Sequence, residues 1–247
     1  MMHLDQRFFK IKDQWNVIHL PERPNGFAIL LIGDLNHYVN NSTSLWIQNP
    51  DRLQMIENLQ ENGYTIFYSN LFGRHWGSPE AVQLLKQLYH MVIRSEILNE
   101  KIHIIAEGMG ALAGLRLMKE MEPFIRSISM LSPCIDLKAF LNTEKNNKLF
   151  FKRLIKELAL AYKIEERFVE SDIISKFEVR GLSSKIPVKI WHSTNRASFT
   201  VSEHSRVYEK IRQEEGAPIE LSLHLFEKRF HITESIISHL NRYEQFL

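Results

Sequence analysis

The sequence predicts an α/β protein with a mostly parallel sheet covered on both faces. Two observations point there. Phe27-Ala-Ile-Leu-Leu-Ile-Gly33 is a continuous apolar run with no polar alternation, as a central parallel strand requires. Short apolar runs of this kind alternate with helix-period segments along all 247 residues.

The elements follow in order. Arg7–Lys12 and Asn16–Leu20 are short strands, and the run from Phe27 is the third. Asp51–Glu61 is amphipathic, and Gly63 stops it. Tyr64–Ser69 is the next strand. Pro79-Glu80 opens a long helix through Leu98, because proline fits the first helical turn. Lys101–Ala106, Ser127–Leu131 and Val188–His192 are further strands, and Met109–Met118 and Glu203–Arg212 are helices. Ile219–Phe226 is the last strand and Glu234–Phe246 the last helix. Residues 137–184 contain helical patterns and no convincing strand. They read as a helical lid inserted into a core made of 1–136 and 185–247, a single domain overall. No internal repeat or low-complexity segment interrupts the chain.

Composition narrows the function classes. The formal net charge of +2 is too small to argue for nucleic acid or an acidic substrate. One cysteine, Cys134, excludes an internal disulfide and fits a reducing compartment. The first residues lack the basic and apolar regions of a signal peptide, and no uncharged apolar run reaches the roughly 18 residues of a membrane span. The expectation is a cytoplasmic protein without stable membrane insertion. No cofactor and no metal site are expected.

One segment carries most of the functional information. Lys101-Ile-His-Ile-Ile-Ala106-Glu-Gly108-Met-Gly110-Ala-Leu-Ala-Gly-Leu reads as strand, sharp turn and small-residue helix. In the nucleophile-elbow pattern Gly-x-Ser-x-Gly a serine stands on that turn. Here Ala106 opens the motif, Gly110 closes it, and Gly108 takes the serine's place.

Four more segments fall in register with it. Leu30-Leu-Ile-Gly33-Asp34-Leu35 stands where a strand ends before an oxyanion-hole residue, and Asn70-Leu-Phe-Gly73-Arg-His-Trp-Gly77-Ser78 is a glycine-rich loop. Ile186-Pro-Val-Lys-Ile-Trp-His192-Ser-Thr-Asn195-Arg196 is a strand and turn, and Phe226-Glu-Lys-Arg-Phe-His231 is a second turn. Together they resemble the α/β-hydrolase family, in particular its capped esterases and monoacylglycerol-lipase-like members. The resemblance covers nearly the whole chain. It implies an α/β-hydrolase fold with a short helical lid and a serine-type carboxylic ester hydrolase site. By that resemblance Gly108 is the nucleophile position and Arg196, or neighbouring Asn195, the acid position. His231 is the base, and the Leu35 and Met109 amides form the oxyanion hole.

The departures govern the functional expectation. Gly108 has no side chain, neither Arg196 nor Asn195 is a carboxylate, and the family's His-Gly pair reads Gly33-Asp34. Losing the triad serine alone costs roughly a million-fold in turnover in a comparable system. The leading expectation is therefore a non-catalytic member that binds a small acyl or other apolar ligand in the old pocket, or a protein partner. The alternative is an unconventional hydrolase of esters or thioesters in which His231 acts with Asp136 or Glu107 on a water.

Other residues carry paired readings. Asp136 is an alternative acid or the N-cap of a lid helix. Cys134 is a nucleophile or a small buried residue. Arg74, His75 and Trp76 are a ligand grip at the pocket mouth or a turn with a partly buried Trp. Gly108-Met-Gly110-Ala-Leu-Ala113 also fits Gly-x-Gly-x-x-Ala, a dinucleotide fingerprint. It lies mid-chain, and the next strand ends without an acidic residue to hold a ribose. The basic amphipathic run from Lys148 to Leu160 is a lid helix over the pocket, or a face for a membrane surface or partner.

Overall fold

The computed structural model describes residues 5–195, 197–225 and 232–244. Eight strands form one sheet: β1 (Asp5–Ile11), β2 (Gln14–Leu20), β3 (Ala28–Ile32), β4 (Thr65–Ser69), β5 (Ile102–Glu107), β6 (Ile125–Leu131), β7 (Val188–Ser193) and β8 (Ile219–His224). Their spatial order is β1-β2-β4-β3-β5-β6-β7-β8. β1 and β2 pair antiparallel, as do β2 and β4, and every pairing from β4 through β8 is parallel.

The strand pleat sorts the apolar run of β3 between two cores. Ala28, Leu30 and Ile32 face one cluster with α3 (Pro79–Ser95), α4 (Gly110–Glu120) and α7 (Ser205–Glu214). Ile29 and Leu31 face the other, with α2 (Pro50–Glu61) and α8 (Thr233–Asn241). Both faces are covered, so a continuous apolar strand is the pattern that fits. A four-residue helix, α1 (Leu45–Gln48), precedes α2 and buries Trp46.

Helix ends follow local chemistry. Ser78 caps α3 by accepting from the Ala81 N–H, with Pro79 in the first turn. The helix stops at Ser95 rather than Leu98, because Glu96 is extended and Ile97 points wholly into solvent.

Residues 137–184 add no strand. They form α5 (Leu137–Glu144), α6 (Lys148–Tyr162) and short 3-10 and π turns. Leu141, Leu154 and Leu158 of this segment pack on Trp76, Met109 and Leu112 in a third apolar cluster. Among the described residues, no helix is long and apolar enough to cross a membrane.

Candidate functional site

Parallel α/β sheets place ligands at the carboxyl ends of their strands. Here the ends of β3, β5, β6 and β7 bring Asp34, Glu107 with Gly108, Ser132 and Ser193 to one cavity of about 250 Å3. Trp46 and Phe199 are among its apolar walls.

The turn after β5 has elbow geometry. Gly108 has φ +51°, the left-handed region that favours glycine. Its N–H donates to the Leu131 carbonyl at 3.0 Å, and its own carbonyl accepts from the Cys134 N–H at 2.8 Å. Gly110 is required for a different reason: a Cβ there would lie 2.5 Å from the Ile32 carbonyl oxygen and 2.7 Å from that of Gly33. The first turn of α4 therefore presses directly on the end of β3.

That close approach delivers Asp34 to the elbow. A Cβ built on Gly108 would fall inside the Asp34 carboxylate. Asp34 Oδ1 accepts the Met109 N–H at 2.8 Å. One of the two backbone donors assigned to the oxyanion hole by resemblance thus already holds an internal acceptor. Met109 caps α4 with no side-chain bond, so Asp34 supplies the anion that the helix N-terminus favours. Burial pushes the Asp34 carboxyl pKa up; the neighbouring Met109 and Leu35 amides and the Arg52 charge pull against that rise.

The remaining candidates are distributed as follows. Glu107 accepts from Arg52 Nη2 at 2.6 Å and Nε at 3.3 Å, a bidentate ion pair on the cavity wall. Asp136 caps α5, accepting from the Lys138 and Ala139 N–H groups at 2.9 and 3.0 Å. Asn195 lies in the turn after β7, where its carbonyl accepts from the Ser193 hydroxyl at 2.7 Å. Cys134 is fully buried, and burial drives its thiol pKa well up, which disfavours the thiolate. His231 and Arg196 lie outside the described residues.

The Arg74-His75-Trp76 turn is tied to α6 instead of gripping the cavity. Trp76 Nε1–H donates to Glu157 at 3.0 Å, Arg74 pairs with the same carboxylate, and Trp76 stacks on Phe140 at 5.5 Å. His75 Nδ1 accepts the Gly77 N–H at 3.1 Å, and burial lowers its pKa to about 3. The dinucleotide reading meets a physical obstacle: a pyrophosphate at the start of α4 would confront the Asp34 carboxylate.

Sequence reasoning noted Asp34 only as a departure from a motif. It did not place the carboxylate on the elbow, although a charged residue two positions after a buried strand was the available signal.

The chain matches no protein-family model and no curated protein. Solved structures do resemble it. Est1E from Butyrivibrio proteoclasticus superposes with a TM-score of 0.68 at 12% identity, covering 96% of this chain and 99% of that one. A thermostable carboxyl esterase from Bacillus coagulans gives 0.65 at 11% identity over 98% and 99% of the two chains. A puromycin-hydrolyzing peptidase of Mycobacterium tuberculosis gives 0.74 at 11% identity; this chain is 99% covered and spans 40% of that one. At such identities the likeness speaks for architecture and not for activity. The sheet order, the elbow and these neighbours agree on one conclusion: the chain has the α/β-hydrolase fold.

Proposed function

We propose that this protein is a non-catalytic member of the α/β-hydrolase fold that binds a small, neutral, mainly apolar ligand in the cavity above Gly108. The observation that carries this reading is the Asp34 carboxylate, which fills the nucleophile's space and takes the Met109 N–H. Acyl transfer needs an attacking group and donors free to receive the developing oxyanion. Gly108 supplies no attacking group. An acyl oxygen aimed at the Met109 amide would meet a carboxylate oxygen there.

The cavity chemistry selects the ligand. Trp46, Met55, Leu131 and Phe199 offer apolar surface, Glu107 is charge-balanced by Arg52, and Asp34 beside Gly108 disfavours a ligand carboxylate there. Short alcohols and esters fit this better than fatty-acid anions. Thermal-shift titration and calorimetry with matched alcohol, ester and acid series test the reading. Neutral ligands are expected to raise Tm, acids to do so weakly, and Ala197→Trp, which fills the cavity, to abolish the effect. No stabilisation by any neutral ligand, or labelling of the protein by a serine-directed fluorophosphonate, would overturn it.

A further inference from the structure

Helix α6 has two faces, and only one is explained by the fold. Leu154, Ile155, Leu158 and Ala159 are buried in the third cluster. The opposite face carries Leu149 and Leu160, each 79% exposed, and Phe150, 53% exposed. Lys148, Lys152 and Lys156 follow at four-residue spacing beside the two leucines. Arg153 and Lys163 border the same face but are paired, with Glu157 and Glu80. The one acidic residue of the helix, Glu157, is also held by Arg74 and Trp76, which leaves the three lysines as the face's unpaired charge. Lys148, Lys152 and Lys156 are in no ion pair among the described residues.

The charge pattern also contradicts local helix preference. Lys148 stands in the first turn of α6, which holds no acidic residue, although helix N-termini favour anions. A cation there costs the helix something, so its advantage must lie in what the face meets. Departures of this kind concentrate where a surface has a function.

We propose that the outer face of α6 docks on an anionic lipid bilayer, with Leu149, Phe150 and Leu160 entering the headgroup boundary. Two features select a bilayer over a protein. The lysine stems are long enough to lie along the interface with their ammonium groups at the headgroups. The face combines isolated apolar anchors with uncompensated positive charge, the pairing that binds anionic membranes reversibly.

The test is co-sedimentation of the full chain with phosphatidylcholine vesicles, with and without about one-third phosphatidylserine. Binding is expected only with phosphatidylserine and should weaken steeply between low and high salt. Each lysine near such a surface contributes roughly fivefold to partitioning, so K152Q/K156Q should lower it roughly 25-fold. L149S/L160S should lower it as well, whereas K210Q on α7 should not. Far-ultraviolet circular dichroism shows that each variant is folded. Equal partitioning on both vesicle types, no binding at all, or an equal loss in K210Q would overturn the proposal. So would binding to soluble polyglutamate as tight as to vesicles and insensitive to L149S/L160S; that result would assign the face to acidic proteins.

Discussion

Placing a serine at Gly108 gives a sharp test of the Asp34 arrangement. In Gly108→Ser the new Cβ must occupy the volume of the Asp34 carboxylate. Two costs follow. Holding serine at φ +51° costs about 1–3 kcal/mol. Driving Asp34 off the Met109 amide forfeits a charge-assisted hydrogen bond worth about 1.5–3 kcal/mol. The carboxylate can turn into the cavity and regain some solvation, so the sum is about 2–5 kcal/mol. For a chain of this size that lowers Tm by roughly 4–20 °C. Urea denaturation of wild type, Gly108→Ser, Asp34→Ala and the double variant measures the coupling. With Asp34 already removed, only the backbone strain should remain, so the double variant should be more stable than additivity predicts by at least about 1.5 kcal/mol. A serine cost equal in both backgrounds within about 0.5 kcal/mol would refute the reasoning.

Buried imidazoles make stability pH-dependent. His19 bonds the Tyr68 hydroxyl at 2.9 Å and His37 the Ser69 carbonyl at 2.9 Å; burial lowers both pKa values to about 4. Their folded pKa values lie below the unfolded 6.5, so their stabilisation is full above pH 6.5 and is lost as pH falls toward 4, up to about 3 kcal/mol each. Urea midpoints at pH 8, 6.5, 5 and 4 read this, and a flat profile below pH 6.5 would count against it. Arg212 is fully buried and donates to the Ile186 and Pro218 carbonyls at 2.5 and 2.8 Å. Arg212→Met should therefore cost about 2–5 kcal/mol in chemical denaturation, since two buried acceptors lose their donor. Glu157→Ala removes the shared partner of Arg74, Trp76 and Arg153 and should cost about 1.5–3 kcal/mol. Hydrogen exchange should then show α6 opening before the central strands; unchanged protection of α6 would contradict its dependence on this carboxylate.

The sheet was legible because its central strands are apolar on both faces, which only a doubly covered sheet explains. Boundaries shifted where side chains behave amphipathically. β6 begins at Ile125 rather than Ser127 because Arg126 buries its stem and sends its guanidinium to the Tyr243 carbonyl at 2.7 Å. α7 begins at Ser205 because the preceding His204 ring is engaged by the Ile135 and Asp136 N–H groups. The glycine on the turn after β5 could be read from one position, Gly108. The carboxylate on the Met109 amide could not, because it depends on a contact between Asp34 and Met109, residues 75 apart in sequence. Only the packing of Gly110 against β3 brings those residues together. Periodicity announced both faces of α6, but only the fold showed which of them stays in solvent.

Hydrolysis of p-nitrophenyl esters of graded chain length by the purified protein, beside His231→Ala, tests the central claim most directly. With Gly108 on the turn after β5 and the Met109 amide held by Asp34, the proposed non-catalytic site should give no turnover above buffer at any chain length, with no difference between the two proteins. Turnover that disappears in His231→Ala would contradict the account and make the protein a working hydrolase.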